Sequence, residues 1–316
     1  MDNRSGPHFT RAGDNTLEIL SNEQRAFYAD NGYLVLKAHL PDDIIQQAHA
    51  EIKRLSEHAK SISESDDLID IEDSHTPQEP RIRRIKRPDL QSEFFNSLMR
   101  SDLILGPARD LIGANIRMHT AKLNCKKAEF GAPVQWHQDF AFYPHTNDDV
   151  LAIGIVFDDI GMENGPLQVF PGSHKGPILD HHDDGVFTGA VDLAVAGLNL
   201  DDAAALTGPA GTITIHHART LHGSALNRSD RDRQILFYEM MAADAFPVMG
   251  AMTKFESIEE YDALMLCGET TKQPRLTNIP VRIPQPQPAK AGSIYEIQSQ
   301  SEKPGYATYE EVKEAT

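Results

Sequence analysis

Cysteine is nearly absent: Cys125 and Cys267 are the only two in 316 residues, far apart and in no Cys-x-x-Cys spacing. A disulfide framework and a thiolate zinc site are excluded, and a reducing cytoplasm is the expected setting. Long apolar runs are missing as well. No stretch approaches the roughly 18 uninterrupted apolar residues of a membrane span, and the polar start from Met1 to Asn15 lacks the apolar core of a signal peptide. A soluble, unprocessed protein is expected. Positive charge is scarce, with 30 Lys and Arg against 47 Asp and Glu and a formal net charge of -17. A charge of that sign repels polyanions, so neither nucleic acid nor a membrane surface is an expected partner.

The chain does have the makings of a large core, with 40% hydrophobic and 24% charged residues. Residues 1–20 carry no periodic apolar pattern and read as a flexible N-terminal arm. Ser21 and Gln24 have capping-box spacing for a short helix ending near Asn31-Gly32, and Tyr33 to Val35 reads as a strand. Pro41-Asp42-Asp43 opens an amphipathic helix with Ile44, Ile45, His49, Ile52 and Leu55 on one face. Ser61 to Pro80 is acidic and Ser-rich and reads as a long loop. The basic run Arg81 to Pro88 reads as an exposed strand or loop that offsets nearby acids. Helices are expected over Leu90–Met99, Ser101–Ile112 and Ser257–Leu266, and strands over Ile116–Lys126, Asp149–Phe157, Leu167–Phe170, Thr212–Ile215 and Gln234–Tyr238. Asp180 to Leu206 interrupts the strands as an insertion of the kind that forms lids and binding loops. From Pro280 the chain is Pro- and Gln-rich and reads as a surface tail. Helices gathered in the first third and short strands after them predict a mainly β protein, a sandwich or jelly roll with flanking helices. The boundaries expected are an arm at 1–20, a single domain at 21–283 and a tail at 284–316.

Chemistry concentrates at Trp136-His137-Gln138-Asp139. On a strand, His137 and Asp139 share a face and can address one ion. His216 and His217 are adjacent and so face opposite ways, so at most one can serve a given metal; His222, which follows a strand-like segment, precedes a Gly and lies eleven residues before Arg233, is the better third ligand. Two imidazoles and one carboxylate form the facial triad of non-haem iron(II) oxygenases, which leaves positions open for a chelating co-substrate and dioxygen. If 2-oxoglutarate chelates there, its far carboxylate needs a buried cation. Arg233, eleven residues past His222, offers a bidentate fork, with Ser224 able to add a hydroxyl. Phe142 and Tyr143, just beyond the ligands, are candidate substrate contacts as well as packing residues. A cupin-like metal protein, whether a binding protein or a metal-dependent isomerase or hydrolase without 2-oxoglutarate chemistry, fits the ligands alone. Such a site has no use for Arg233 and Ser224.

The segments "FYADNGYLVL", "KLNCK", "WHQDFAFYP", "ENGPLQVFPGSH" and "HARTLHGSALNRSDRDR", between Gln24 and Pro247, resemble the phytanoyl-CoA dioxygenase family of iron(II)/2-oxoglutarate oxygenases, which includes ectoine-hydroxylase-like enzymes. The resemblance implies a double-stranded β-helix, a cupin-like jelly roll. It implies iron ligands at His137, Asp139 and His222, and 2-oxoglutarate contacts at Arg233 and Ser224, with Lys122 and Asn124 where relatives also place them. Halogenating relatives have a small residue in place of the carboxylate; Asp139 therefore favours hydroxylation, with 2-oxoglutarate decarboxylated to succinate. The only strongly basic run, Arg81 to Arg87, lies in an acidic background, so a free small-molecule metabolite is expected as substrate rather than a CoA thioester. The sequence sets no oligomeric state.

Overall fold

The computed structural model describes residues 18–129, 131–249, 255–301 and 305–307. Local chemistry accounts for the first elements. Ser21 caps α1 (Asn22–Asn31) in a reciprocal capping box with Gln24, and Gly32, at φ 75°, stops it. β1 (Tyr33–Leu36) and α2 (Asp42–Ser56) follow, and α2 buries Ile44, Ile45, Ala48, Ile52 and Leu55. Of the expected arm, residues 1–17 lie outside the described residues. Leu20 is buried, and the Ile19 and Leu20 amides donate to Asp110.

The acidic stretch read as a loop contains β2 (Ile69–Ile71), which pairs with β3 (Ile82–Lys86). Buried Asp70 explains the pairing: it forms ion pairs with Arg84 at 2.6 Å and Lys86 at 2.7 Å. The helix expected over Leu90–Met99 is two pieces, α3 (Pro88–Gln91) and α4 (Glu93–Met99), because Ser92 adopts an extended conformation and caps the second. α5 (Asp102–Ile112) carries Pro107 and ends at Gly113.

Strands then build two main sheets and a separate two-stranded hairpin, and every pairing in them is antiparallel. They are β4 (Ile116–Lys126), β5 (Val134–His137), β6 (Val150–Val156), β7 (Leu167–Val169), the small hairpin β8 (His182–Asp183) and β9 (Val186–Phe187), β10 (Ala204–Leu206), β11 (Ile213–His217), β12 (His222–Ser224) and β13 (Arg233–Ala242). Between β5 and β6 lies the one-turn helix α6 (Asp139–Phe142). The larger sheet runs β1-β11-β6-β13-β4-β3-β2, and the smaller runs β10-β7-β12-β5. This is the jelly roll with flanking helices that the strand spacing predicts.

Alternation along the central strands separates packing from chemistry. On β4, Ala121, Leu123 and Cys125 join the core under the helices, as do Leu236, Tyr238 and Met240 on β13. The Tyr238 hydroxyl ties the sheet to α4 by donating to the Phe95 carbonyl at 2.6 Å. The opposite faces of the same strands, Lys122, Asn124 and Lys126 with Arg233, Phe237 and Glu239, look between the two sheets.

Two further expectations change at the C-terminal end. The helix read over Ser257–Leu266 is α7 (Ile258–Asp262), followed by β14 (Met265–Cys267), which pairs with β4. The stretch read as a surface tail contains α8 (Ile294–Gln298), with Tyr295, Ile297 and Gln298 buried. Both cysteines are free, and no helix among the described residues is long and apolar enough to cross a membrane.

Candidate active site

His137 ends β5 and His222 begins β12, directly opposite it in the ladder. Asp139 is not on the strand, as alternation assumes. The strand stops at His137, Gln138 is extended, and Asp139 starts α6, so a helical turn swings the carboxylate back to the histidines. One ligand atom from each of His137, Asp139 and His222 lies within 4.8 Å of the other two, and all three residues are buried. Asp139 Oδ1 is 3.6 Å from His137 Nε2 and 3.9 Å from His222 Nε2.

Each ligand histidine is fixed by its own backbone. His137 Nδ1 donates to the Gln135 carbonyl at 2.7 Å and His222 Nδ1 to the Thr220 carbonyl at 2.8 Å. A carbonyl only accepts, so Nδ1 carries the proton and Nε2 presents a lone pair to the site. Burial, reinforced by His137 and His216, holds the His222 pKa well below the usual imidazole range, so the ring stays neutral. Burial alone would raise the Asp139 pKa. His216, whose Nε2 lies 3.4 Å from Oδ2, and the nearby Lys122 ammonium act against it, and the carboxyl is held well below the usual carboxylate range.

Two positioning residues carry little signal in the sequence. His216 faces inward, with Nε2 3.4 Å from Asp139 Oδ2, whereas His217 points away to Asp148. This is the division expected of adjacent strand residues. The Gln138 side chain accepts from the Leu179 amide at 2.8 Å and donates to the Arg219 and Pro177 carbonyls at 2.7 and 3.2 Å. Its own amide donates to His181 Nε2 at 2.9 Å. The turn between the two ligands is thus tied to the 180–206 insertion and to the loop before β12.

The cavity beside the cluster lies between the two sheets, and Lys126 and Arg233 give part of its lining a cationic character. Arg233 is 2% exposed and Lys126 is 1% exposed, and neither has a carboxylate within ion-pair distance among the described residues. Arg233 donates to the Gly165 carbonyl at 2.5 Å and its Nε has no partner among the described residues; Lys126 donates to the Ser224 carbonyl at 3.1 Å and to that of Ala225. Burial pulls Arg233 down to about 10, and burial with the neighbouring Arg233 pulls Lys126 well below the usual lysine range. Two buried cations whose partners among the described residues are carbonyls are suited to receive an anion. Ser224 and Asn124 line the same space, with the Asn124 carbonyl oxygen unpartnered.

Lys122 also lines the cavity, but its ammonium lies 2.6 Å from Glu239, which the sequence reading passed over because it sits mid-strand among apolar residues. Tyr143 reaches toward Asp139 and Glu239, and its ring packs 4.2 Å from His119. Phe142, like Tyr143, is not among the residues that line the cavity. It wedges between His137 at 5.7 Å and Phe187 at 5.0 Å, ring centre to ring centre, and so joins a ligand to the insertion hairpin.

Comparison with known proteins agrees with this geometry. The phytanoyl-CoA dioxygenase (PhyH) profile matches residues 28–235. The chain belongs to the phytanoyl-CoA dioxygenase family. A probable alpha-ketoglutarate-dependent hypophosphite dioxygenase of Stutzerimonas stutzeri is 37% identical over 282 residues, covering 87% of this chain and 96% of that protein. Ectoine dioxygenase of Streptomyces avermitilis is 26% identical over 228 residues, covering 66% and 75%. Among solved structures, EctD from S. alaskensis with bound iron superposes with a TM-score of 0.61 at 25% identity, covering 75% of this chain and 80% of that one.

As a member of the phytanoyl-CoA dioxygenase family, the protein is an iron(II)/2-oxoglutarate-dependent dioxygenase. The donor set fits the metal: two neutral imidazole nitrogens and an ionised carboxylate suit non-haem iron and leave coordination positions open. The unpartnered Arg233 Nε suits a co-substrate with a free carboxylate. The family match ends at residue 235, so Glu239 and α8 lie beyond it.

Proposed function

We propose that this enzyme hydroxylates a free small-molecule metabolite, with His137, Asp139 and His222 holding iron(II) and Arg233 anchoring 2-oxoglutarate. The observation that carries the reading is the pairing of a His-Asp-His cluster with an anion site, Arg233 and Lys126, in one cavity. A metal-only cupin gives no role to two buried, carboxylate-free cations. Bound iron supplies the oxidising chemistry, using dioxygen and converting 2-oxoglutarate to succinate and carbon dioxide while a substrate C–H bond gains a hydroxyl. The rest falls to the chain. Arg233 and Ser224 take the far carboxylate of the co-substrate, and Asn124 flanks it. Lys122 is tied to Glu239, so we move the second cationic contact from Lys122 to Lys126 and assign the Lys122–Glu239 pair and Tyr143 to the substrate side.

A free metabolite is favoured over a CoA thioester because the cations of the basic run are largely committed to carboxylates. Arg81 pairs with Glu72, Arg83 with Asp73, Arg84 and Lys86 with Asp70, and Arg87 with Asp89. We take the working unit to start at Ser21 and to include the segment after Pro284, since Tyr295 lines the cavity. With two unpaired thiols, a reducing cytoplasm is its proposed location. The test has two stages. Iron(II) and 2-oxoglutarate added without oxygen should give a weak visible charge-transfer band. Succinate release should then rise with one member of a panel of amino acids, amines, terpenoids, acyl-CoAs and hypophosphite, the last included for the relative named after it. Absence of the band rejects the co-substrate assignment, and activity on acyl-CoA alone rejects the free-metabolite assignment.

A further inference from the structure

The C-terminal segment puts a polar group into the cavity that holds Arg233. Ser293 caps α8 by accepting from the Glu296 amide, and the helix is then fastened at its far end. Gln298 accepts from the Gln135 amide at 2.9 Å and donates to the carbonyls of Gly189 at 2.9 Å and Gln135 at 3.3 Å. Ile297 packs in the cluster that contains Phe140, Ile178 and Phe187. Those contacts set the position of Tyr295, two residues from Ile297. Its ring receives the Arg83 guanidinium at 5.1 Å, and its side chain lines the same cavity as Arg233 and Lys122. Its hydroxyl is buried and has no hydrogen-bond partner among the described residues.

A buried, unpartnered hydroxyl costs about 1–3 kcal/mol, so a native structure that keeps one beside an anion site suggests a missing ligand. A carboxylate offers about four lone-pair sites, and a guanidinium fork fills two. We propose that Tyr295 is a co-substrate-binding residue: its hydroxyl donates a hydrogen bond to the far carboxylate of 2-oxoglutarate held by Arg233, so that the C-terminal helix completes the site. The inference rests on the reading of Arg233 given above. It assigns a function to a segment beyond the family match, in a stretch whose sequence reads as tail.

The test uses the full-length chain loaded with iron(II) under anaerobic conditions, titrated with 2-oxoglutarate and followed by the visible band and by calorimetry. Tyr295→Phe keeps the ring and its packing and removes only the donor. Its dissociation constant for 2-oxoglutarate should rise about tenfold, the value of one charge-assisted hydrogen bond. 2-Oxobutyrate, which keeps the chelating end and lacks the far carboxylate, should bind wild type and Tyr295→Phe equally well. An equal loss for both ligands would mean a structural role and would overturn the proposal. Unchanged affinity in Tyr295→Phe, alongside a loss in Arg233→Met, overturns it while leaving the Arg233 reading intact. Tighter binding in Tyr295→Phe or Tyr295→Ala would mean that the phenol blocks the site, again overturning it. A wild-type chain that binds no 2-oxoglutarate removes both readings together.

Discussion

Replacing Arg233 by Met tests the anion site through two opposite effects. The side chain is 2% exposed, spends one donor on the Gly165 carbonyl at 2.5 Å and leaves Nε without a partner. If the fork grips a carboxylate, Arg233→Met removes two charge-assisted hydrogen bonds, each worth about 1.5–3 kcal/mol. Lys126 still supplies positive charge nearby, so the lower end applies: about 3 kcal/mol, or on the order of a hundredfold in the dissociation constant for 2-oxoglutarate. The ligand-free protein should respond the other way. Burial lowers the Arg233 pKa to about 10, and Arg233 in turn contributes to the lowering at Lys126, so the empty site bears uncompensated desolvation and like-charge repulsion. A methionine of similar length removes both penalties, and the ligand-free variant should melt no lower than wild type. Anaerobic titration and a thermal melt read the two effects. A dissociation constant within about threefold of wild type, or a clear loss of ligand-free stability with affinity retained, would refute the reasoning.

Other perturbations separate the metal cluster, the buried histidines and the backbone. At a metal concentration a hundred times its dissociation constant, binding should stabilise the chain by about 2.7 kcal/mol. His222→Ala should abolish that thermal shift, and a shift that persisted would show the metal bound elsewhere. Burial depresses His145, His181 and His217 to about 3 in the folded chain, whereas unfolded histidine titrates near 6.5. The unfolded state therefore binds more protons between those values. The stability from keeping these rings neutral is complete above about pH 6.5 and is lost as pH falls, at up to about 1.4 kcal/mol per unit for each ring. Melts of the metal-free protein should be flat from about pH 8 to 7 and fall below about 6.5; a flat profile down to about pH 5.5 would contradict the burial argument. Gly165 sits at φ 68°, and a Cβ there would collide with the Ala225 carbonyl oxygen, an acceptor of Lys126, while its own carbonyl accepts from Arg233. Gly165→Ala should cost about 1–3 kcal/mol of stability and weaken 2-oxoglutarate binding in the same protein; circular-dichroism melts and the anaerobic titration would show a loss of one without the other if the two are unconnected.

How far the sequence could be read depended on the range of the interactions involved. β4 runs from Ile116 to Lys126, as predicted, and its alternation holds over Ala121–Lys126, where one face meets the apolar core and the other the polar cavity; a register shift near His119 switches the faces before that. α1 was visible through Ser21 and Gln24 because a capping box is complete within four residues. Asp139 was chosen for the right neighbours through the wrong geometry: a turn of four residues leaves no periodicity, so strand alternation was the only local rule to apply. Lys122 and Lys126 share a face and a residue type, and only the partner strand tells them apart. Glu239 neutralises Lys122, whereas Lys126 lies opposite Arg233 in the ladder. α8 was invisible because its five residues are set in a Pro- and Gln-rich segment, and its burial comes from Gln135 and Gly189, more than 100 positions away.

The separation of charge within the cavity follows from that ladder. Antiparallel pairing sets Arg233 against Lys126 and Phe237 against Lys122, so positive charge accumulates where β4 ends and β13 begins. Four residues back, a distance of roughly 13 Å along a strand, Glu239 cancels the charge on Lys122. The ionised Asp139 lies with the histidines on the other side of the cavity. A molecule with a carboxylate at each end therefore meets two unlike environments: one in which only fixed cations can balance its charge, and one in which a metal ion must. A 2-oxo acid with a second carboxylate satisfies both in one orientation, with its chelating end toward the metal. On the proposed assignment of Arg233, the reversed orientation would bring the keto group to Arg233 and offer the metal a carboxylate without the adjacent keto oxygen, so the strand register would set the direction of co-substrate binding before any substrate arrives.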